Sequence, residues 1–380
     1  MPQCLPDRKD CLFALLKSAD MPEIKSYLSE LKRTSVKAVN RKKYLRLDMN
    51  ENPLGLSQSF VRDVLRQVNS NTLAAYPEYC SLLKKIALHN HLKTENVCLS
   101  NGSDAVIKHI FDAYVSPGDR ILLTEPTFAM YPVYCSMFNA KPLIMEYDSF
   151  RGLSVNRFLD KISSGIKMAV IVNPHNPTGS IFSQRELIKI ARKARDNDVL
   201  LVIDEAYFYF YSHTLIHKIN RYRNLIILRT FSKLCGIAGL RVGYAAACPE
   251  IIKGLYKVKP SFDVNSVGVL FAERLLDEPA LIKKMIAQTN EGKGYLVKKL
   301  QESSIEYIAG AANFVLIRCR VSPIVIKEKL AKQNILVAAG FTHEFLKDYI
   351  RVTVADKKIM ESFWKVFAKI WRRHEKRCVS

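Results

Sequence analysis

Lys233 stands at the end of a strongly apolar run, and its amine could form a Schiff base with a carbonyl compound. Burial lowers the pKa of a lysine because the ammonium form loses its hydration, and the neutral amine is the nucleophile. Ser232 precedes this lysine, and Gly236, Gly239 and Arg241 follow it. Glycine-rich backbone beside an arginine is typical of a site for an anion such as phosphate. A lone loop lysine is usually only solvated, so the prediction of Schiff-base chemistry depends on other segments of the chain.

Two acids, Asp204 and Glu205, follow the apolar run 199–203. Unpaired charge at the end of a buried strand is unfavourable, so these carboxylates need a partner. A cationic ring nitrogen would provide one. The pair therefore indicates a ligand that carries a basic ring nitrogen.

The segment 173–179, Asn-Pro-His-Asn-Pro-Thr-Gly, has two prolines directly after an apolar run. Prolines so placed fix a rigid, non-helical turn. Such a turn fixes the position of the Asn176 amide. A fixed amide at a strand end indicates contact with a ligand. His175 is expected to lie on the surface of the loop rather than to act as a base.

A further candidate anion site lies in the segment 100–104, Ser-Asn-Gly-Ser-Asp, between a short apolar run and a predicted helix. Gly102 permits close approach of the backbone, and the N–H groups at the start of a helix bind anions. Ser103 and Asp104 would then lie beside the anion. Any capped helix can show serine and aspartate at its start, so this segment alone is ambiguous.

The elements that must position these residues alternate between short apolar runs and amphipathic stretches, which predicts strands and helices in turn. The runs have no polar face, as in strands that are buried on both sides. The predicted strands are 97–99, 120–125, 143–147, 168–173, 199–204, 225–230 and 242–247. The expected fold class is therefore α/β, with helices on both faces of a sheet. Ligands of such sheets bind beyond the carboxyl ends of the strands, so the four segments are expected to share one crevice.

The pattern changes at about Pro279, where a long helix is followed by short strands and helices. This predicts a small α+β domain over residues 279–380. Its last helix repeats Met360, Phe363, Phe367 and Trp371 at helical spacing, which indicates a stripe that faces the core. Residues 72–278 are then the large domain, and residues 1–71 form an N-terminal arm that packs on the small domain.

The charge of the chain is unusual, with 58 basic and 36 acidic residues and a net charge of +22. A basic surface attracts anions in general, whether substrates, nucleic acids or membranes. No nucleic-acid-binding motif accompanies the charge, so nucleic acid is not an expected partner. The fractions of hydrophobic residues, 48%, and charged residues, 25%, are those of an ordinary globular enzyme.

The nine cysteines form no C-x-x-C pair and show no metal-ligand spacing. Buried free thiols in a reducing cytosol are the expectation, with no metal site. The apolar stretch 12–16 is too short for a signal sequence, and no segment is apolar over a length that would span a bilayer. A cytoplasmic protein without a membrane partner is predicted.

Together these segments resemble the signature of fold-type-I aminotransferases that use pyridoxal 5'-phosphate (PLP). The matching motifs are Asn176-Pro-Thr-Gly, Asp204-Glu-Ala-Tyr, and Ser232-Lys233 with Arg241 eight positions later. Within that group the chain is most similar to the histidinol-phosphate aminotransferases, through Asn50-Glu-Asn-Pro, Tyr76-Pro, Pro126-Thr-Phe, Asn313-Phe and Arg351-Val-Thr. The resemblance covers about residues 45–370. It implies a large domain with a mainly parallel, seven-stranded sheet.

The resemblance also implies a role for each candidate residue. Lys233 would carry PLP as a Schiff base and move a proton at the substrate's Cα, and Asp204 would pair with the ring nitrogen. The remaining residues around the cofactor would contact its ring or its phosphate: Ser103, Asp104, Phe128, Asn176, Tyr207, Ser232 and Arg241.

Further residues are implied to act across a dimer or on the substrate. Tyr76 would contact the phosphate held by the neighbouring subunit, so a homodimer with shared sites is expected. Arg351 would bind the substrate's α-carboxylate, a bidentate task suited to arginine, with Asn313 and Asn52 nearby. The expected substrates are small molecules, an amino donor and a keto acceptor.

One position departs from the family pattern. Histidinol-phosphate aminotransferases usually have an arginine thirteen positions before the arginine that binds the carboxylate, and here that position is Ala338. The anionic end of the substrate would lose its partner. We therefore predict that a smaller, phosphorylated compound replaces histidinol phosphate.

The motifs leave three functions open. An aminotransferase is the first. A PLP decarboxylase of a phosphorylated amino acid, similar to the threonine-phosphate decarboxylases, is the second, because PLP stabilises a carbanion whichever bond at Cα breaks. The third is a binding or regulatory protein without turnover, and the intact Lys233, Asp204 and Arg241 argue against it.

Overall fold

The structure, a computed structural model, describes residues 23–29, 31, 40–147 and 152–378. The beginning of the predicted N-terminal arm, with the apolar stretch 12–16, lies outside the described residues. The strands are, in chain order, β1 (Leu45–Leu47), β2 (Val97–Ser100), β3 (Arg120–Glu125), β4 (Lys141–Glu146), β5 (Met168–Val172), β6 (Leu200–Asp204), β7 (Leu225–Thr230), β8 (Gly243–Ala247), β9 (Tyr307–Ile308), β10 (Phe314–Arg318), β11 (Ile335–Val337) and β12 (Tyr349–Thr353).

Seven strands form the main sheet, in the spatial order β2-β8-β7-β6-β5-β3-β4. Neighbours pair in parallel except at β8, which runs antiparallel to both β2 and β7. Every residue of β5, β7 and β8 is buried, as strands covered on both faces require. The prediction of a buried strand was wrong for 143–147, because β4 occupies an edge of the sheet and most of its residues face solvent.

Helices cover both faces of the main sheet, which confirms the predicted fold class. Gly102–Tyr114 and Pro249–Val258 pack on one face, and Val155–Lys161 and Gln184–Arg195 pack on the other. The last of these begins with a capping box, in which Ser183 N donates to Glu186 Oε2 (2.7 Å). The other α-helices of the described chain are Ser26–Ser29, Gln58–Leu65, Ser70–Ala74, Cys80–His89, Met130–Met137, Ser266–Leu276, Pro279–Glu302, Pro323–Ala331 and Lys357–Cys378.

Two smaller sheets involve the C-terminal part of the chain. Strands β9, β10 and β12 form an antiparallel sheet, and β1 pairs in parallel with β11. Buried Met360, Phe363 and Phe367 of the last helix pack on this region, which confirms the predicted apolar stripe. The division of the chain at residues 71 and 278 stays a prediction.

The main sheet brings the four candidate segments to one edge. Strands β5, β6 and β7 are parallel neighbours, so the segments that follow them start side by side. Strand β2 is antiparallel to β8, and β8 is antiparallel to β7, so β2 points in the same direction as β7. The segment 100–104 therefore begins at the same edge as the other three.

Candidate active site

A cavity of about 210 Å³ opens at this edge of the sheet. Its lining contains all nine residues that the family resemblance placed around a cofactor within one chain, and three more. The full lining is Ser103, Asp104, Phe128, Val172, Asn176, Asp204, Ala206, Tyr207, Thr230, Ser232, Lys233 and Arg241. Of the three additions, Val172 and Thr230 are the last residues of β5 and β7. Ala206 belongs to the Asp204-Glu-Ala-Tyr motif, in which it was given no role of its own. The structure thus brings the four segments together around one space.

Asp204 is the last residue of β6, and its carboxylate lines the cavity. Tyr131 Oη donates to Oδ2 (3.0 Å), and Ala206 N donates to Oδ1 (3.0 Å). Burial raises the pKa of Asp204 to about 6, and these two donors and Lys233 oppose the rise. A cation held against this carboxylate would also oppose the rise in its pKa and keep it ionised. The position therefore suits a protonated ring nitrogen.

Glu205 is absent from the lining and forms a buried ion pair instead. Its Oε2 accepts from Arg229 Nε (2.9 Å), and its Oε1 accepts from Thr214 Oγ1 (2.6 Å). Arg229 also donates to Asn90 Oδ1 (2.6 Å). Successive residues of a strand face opposite sides, so the two adjacent acids obtain different partners. Glu205 therefore has a structural role as the partner of Arg229 and Thr214, and Asp204 remains available to a ligand.

Lys233 lines the cavity, and its Nζ donates to the backbone oxygen of Met49 (3.0 Å). Burial lowers the pKa of Lys233 to about 8, and nearby Arg351 lowers it further, whereas Asp204 opposes the shift. A larger fraction of this amine is therefore neutral near physiological pH than for an ordinary lysine. Lys233 can attack a carbonyl group, as Schiff-base chemistry requires.

An anion site lies where the helix Gly102–Tyr114 starts beside Arg241. Arg241 has a left-handed backbone (φ 55°), and its Nη1 donates to Ser232 Oγ (3.4 Å). Gly102 has a φ of 79°, and a Cβ added there would lie 2.5 Å from Arg241 Nη2. Glycine is required both by this backbone conformation and by the approach of the guanidinium. The free N–H groups of the helix and the arginine are thus available to the same anion.

Arg351, on β12, reaches the cavity through Asn176. Its Nη1 donates to Asn176 Oδ1, and its Nη2 donates to the backbone oxygen of Asp48 (3.0 Å). Its Nε is buried and has no hydrogen-bond partner within the described part of the chain. A carboxylate would satisfy this group and compensate the buried positive charge. The arrangement suits the bidentate binding of a carboxylate.

Asn50 is the residue that the sequence most clearly left without a role. Its Nδ2 donates to Tyr207 Oη (2.8 Å), its Oδ1 accepts from Thr353 Oγ1 (3.1 Å), and its backbone oxygen accepts from Asn313 Nδ2 (3.1 Å). Its φ of 57° lies in the left-handed region, which asparagine tolerates better than most residues. Asn50 therefore connects the cavity to the C-terminal strands. In the sequence it appeared only as the first residue of the Asn-Glu-Asn-Pro motif.

Four of the predicted residues lie outside the described lining of the cavity: Tyr76, Asn52, Asn313 and Arg351. Asn52 Nδ2 donates to the backbone oxygen of Leu234 (2.8 Å), so this amide is engaged within the protein. Asn313 Oδ1 is buried without a hydrogen-bond partner among the residues that the structure describes. Tyr76 is 76% exposed and stacks on Phe262, with ring centroids 4.4 Å apart.

The surface position expected for His175 was wrong. Its side chain is buried, with Nδ1 2.7 Å from Thr178 Oγ1 and Nε2 2.9 Å from the backbone oxygen of Pro126. The ring also stacks on Tyr147. Burial lowers the pKa of His175 to about 3, so the imidazole is neutral. His175 fixes the turn that carries Asn176, and the prolines on both sides concealed this because they usually mark exposed loops.

The same turn ends at a contact between two glycines. Gly179 has a φ of 75°, and a Cβ added there would lie 2.9 Å from Gly310 Cα. Ala311 N donates to the backbone oxygen of Gly179 (2.7 Å). The segment 310–312 is also held by Lys293, whose Nζ donates to the backbone oxygens of Gly310 and Ala312. The backbone that leads into β10 is therefore held directly against the turn of the cavity.

These groups fit PLP, which carries a carbonyl group, a basic ring nitrogen and a phosphate. Lys233 offers an amine, Asp204 offers a buried carboxylate, and Arg241 with the start of the helix Gly102–Tyr114 offers an anion site. A side chain at Gly102 would fill the space beside Arg241, so the anion site depends on that glycine. Phe128 adds an aromatic ring to the lining. The arrangement can hold a cationic ring, position its carbonyl near an amine and move a proton.

Comparison with known proteins agrees with this chemistry. The sequence profile described as aminotransferase class I and II matches residues 42–363. The histidinol-phosphate aminotransferase of Caldanaerobacter subterraneus subsp. tengcongensis is 34% identical over 314 residues, which cover 82% of this chain and 88% of that protein. The crystal structure of histidinol-phosphate aminotransferase from Sinorhizobium meliloti in complex with PLP has a TM-score of 0.82 at 20% identity, over 93% of this chain and 99% of that one.

A structural neighbour with a different reaction is the L-threonine-O-3-phosphate decarboxylase of Porphyromonas gingivalis. Its TM-score is 0.73 at 20% identity, over 86% of this chain and 99% of that one. At these identities the likeness shows the fold alone, and one fold carries several reactions.

Within the described ranges, no helix combines the length and the apolar character needed to cross a membrane.

Proposed function

Because the chain belongs to the aminotransferase class I and II family and uses PLP, we propose that it moves an amino group between an amino acid and a small phosphorylated keto or amino compound. The observation that carries the proposal is the shared cavity of Lys233, Asp204 and Arg241. Each of them supplies the group that one part of PLP requires. The names of the relatives support amino transfer over the alternatives.

In this proposal each residue binds, orients or moves a proton. Bound PLP supplies an electron-withdrawing ring that stabilises negative charge at the substrate's Cα. The Asp204 carboxylate keeps the ring nitrogen protonated, and Arg241 with Ser103 holds the phosphate. Arg351 binds the α-carboxylate and so orients the bonds at Cα. Lys233 Nζ removes the proton from Cα.

A single-turnover titration with a panel of amino donors tests the reaction. We expect the absorbance band of bound PLP to disappear with a matching amount of pyridoxamine 5'-phosphate and keto acid. Release of CO₂ and an amine, with the cofactor unchanged, would contradict amino transfer. That outcome would support the second candidate, the decarboxylation of a phosphorylated amino acid, which a structural neighbour performs.

The surroundings of Ala338 bear on the substrate. Ala338 pairs with Arg351 through two backbone hydrogen bonds (3.0 and 2.8 Å). Paired residues project their side chains on the same face of a sheet, so position 338 contributes only a methyl group on the side of Arg351. The centroid of the Phe341 ring lies 5.9 Å from Arg351 Cζ. Lys347, the next basic residue before Arg351, is exposed and pairs with Glu344. Around position 338, the described residues Ala338 and Phe341 therefore offer apolar surface where the family pattern has an arginine.

We therefore expect histidinol phosphate to be a poor substrate and a smaller phosphorylated donor to be preferred. The measurement is kcat/KM for both donors with 2-oxoglutarate. The variant Ala338→Arg should raise kcat/KM for histidinol phosphate by roughly tenfold, about 1.4 kcal/mol of transition-state binding, with little effect on the small donor. If the unmodified enzyme already favours histidinol phosphate by about tenfold, the interpretation of Ala338 is wrong.

We further infer a homodimer in which Tyr76 serves the neighbouring site. Tyr76 and Phe262 expose 76% and 52% of their surface, and stacked exposed rings are typical of an interface. We expect sedimentation to give a dimer. Mixing Tyr76→Phe chains with Lys233→Ala chains should give hybrid dimers that contain one intact site, so activity exceeds the mean of the two parents. A fully active monomer would refute the shared site.

The other proposed partners are small molecules, and the proposed location is the cytoplasm. Cys98, Cys235 and Cys248 are buried free thiols, as a reducing compartment permits.

A further inference from the structure

A buried ion pair lies behind the anion site, outside the lining of the cavity. Lys259 Nζ is 2.8 Å from Asp263 Oδ1, and the two side chains are only 2% and 7% exposed. Burial of such a pair is unfavourable unless close contacts compensate the lost hydration, and it often adds nothing to stability. The proposed roles of the lining residues do not involve either group.

The other carboxylate oxygen of Asp263 holds the turn that precedes the anion site. Its Oδ2 accepts from Ser100 Oγ (2.9 Å) and from Asn101 N (3.3 Å). Gly102, which starts the helix Gly102–Tyr114, follows directly. Asn101, the N-cap residue, makes no side-chain capping bond. A carboxylate from a distant part of the chain thus holds the residues immediately before the helix, rather than the N–H groups of its first turn, which a local cap would bind.

The turn has little freedom to move without disturbing the anion site. A Cβ added to Gly102 would lie 2.5 Å from Arg241 Nη2. On the other side, a Cβ added to Gly243 of β8 would collide with Ser103 N. The start of the helix is therefore enclosed between Arg241 and β8. A small shift of the turn would change the distance between the helix N–H groups and the guanidinium.

Asp263 is itself held from several sides. His109 Nε2 is 3.7 Å from its Oδ2, and the rings of Tyr79 and Tyr256 lie 5.8 and 5.5 Å from Lys259 Nζ. Burial alone would raise the pKa of Asp263, but His109, Lys259 and Ser100 hold it at about 2. The carboxylate is therefore ionised throughout the range in which enzymes work, and Lys259 neutralises it.

We propose that Asp263 is a positioning residue for the phosphate of the cofactor, because it fixes the Ser100–Asn101 turn from which the helix N–H groups meet Arg241. This inference rests on the proposed location of the phosphate. The inference predicts the direction in which the affinity for PLP changes when Asp263 is replaced. A negative charge near a phosphate weakens binding by simple repulsion, so removing the charge alone would strengthen binding. Removing a positioning group weakens it.

The test compares PLP with pyridoxal, which lacks the phosphate, by measuring the dissociation constant of each from the protein freed of cofactor. Asp263→Asn should weaken PLP binding by about tenfold, as expected for hydrogen bonds to a charged group, and leave pyridoxal binding unchanged. Unchanged or tighter PLP binding would overturn the proposal, as would equal weakening of both ligands.

Two further variants address folding, because Asp263→Asn leaves Lys259 buried without its partner. Lys259→Gln combined with Asp263→Asn leaves no unpaired charge and should show the same selective loss of PLP. Ser100→Ala removes one hydrogen bond without touching a charge. It should weaken PLP binding by a few-fold in the unmodified protein and by less in the Asp263→Asn background, where the neutral amide is a weaker acceptor than the carboxylate. Equal effects of Ser100→Ala in both backgrounds would overturn the proposed coupling.

Glu205→Gln is the matched control, since it also disturbs a buried ion pair but one that does not contact the turn. It should lower stability without changing the ratio of PLP to pyridoxal affinity. If the unmodified protein binds pyridoxal as tightly as PLP, the proposed phosphate site itself is wrong. If it prefers PLP and Asp263→Asn retains that preference, only the role of Asp263 is wrong.

Discussion

Replacing Lys233 with alanine is expected to lower kcat by about 10²- to 10⁴-fold or more, because it removes the proposed nucleophile and proton-transfer group. PLP should still bind, since Asp204, Arg241 and Ser103 keep their places in the lining. Steady-state rates and the cofactor retained after gel filtration measure the two effects. Full activity of Lys233→Ala would contradict the assignment, and loss of all PLP binding would contradict the roles given to the other residues.

Lys293 provides an internal control for this result. Burial lowers the pKa of Lys293 to about 8, the same value as for Lys233. The neutral form of its amine is therefore also more populated than that of an ordinary lysine, but this amine donates to the backbone oxygens of Gly310 and Ala312 and is absent from the cavity lining. Borohydride reduction should attach PLP to Lys233 and not to Lys293. A label on Lys293 would show that amine availability, rather than the cavity, selects the lysine.

The pKa of Lys233 also predicts how cofactor capture depends on pH. Because burial lowers this pKa to about 8, the reactive neutral amine is scarce below pH 7 and predominates above pH 8. The rate at which PLP attaches to the protein freed of cofactor should rise from about pH 7 to about pH 9 and level off above that range.

Replacing Asp204 with asparagine is expected to lower kcat by about 10²- to 10³-fold, the effect typical of removing one preorganised electrostatic group at a reaction centre. Asparagine preserves the volume and one acceptor for Tyr131 or Ala206 N, so the cavity should persist. The neutral amide cannot stabilise a protonated ring nitrogen. Retention of kcat within about threefold would show that this carboxylate does not act on the ring.

Glu205→Gln is the matched control, because it changes the adjacent acid of the same strand end. Its partner Arg229 is buried, so loss of the charge should lower the free energy of unfolding by about 3–5 kcal/mol in urea titrations. The kcat of the folded fraction should change far less than in Asp204→Asn. Equal losses of kcat in the two variants would mean that both act through folding.

Much of the main sheet could be predicted from the sequence because buried parallel strands are nearly continuous apolar runs. Strands β3 and β7 have the predicted bounds. The edge position of β4 could not be foreseen, since the order of strands in a sheet depends on contacts between distant segments. The convergence of the four segments followed from the general rule about strand ends, and it needed no knowledge of side-chain geometry.

The finer geometry of the site depends on contacts that cross most of the chain. Asn50 bonds to Tyr207, Thr353 and Asn313, and Asn52 bonds to Leu234. No local pattern in the sequence encodes such pairs. His175 illustrates the same point, because its burial comes from residues packed around a turn whose composition is typical of a surface loop.

The contact between Gly179 and Gly310 sets the position of Arg351 relative to the turn of the cavity. Two backbones touch there with no side chain between them, so no change of rotamer can relieve a substitution at either glycine. Gly179 ends the turn that carries Asn176, and Gly310 leads into β10, which pairs with β12 and Arg351. A side chain at either glycine would push the two backbones apart, and the hydrogen bond between Arg351 and Asn176 spans the same gap. Two residues without side chains therefore set the spacing of two side chains of the site.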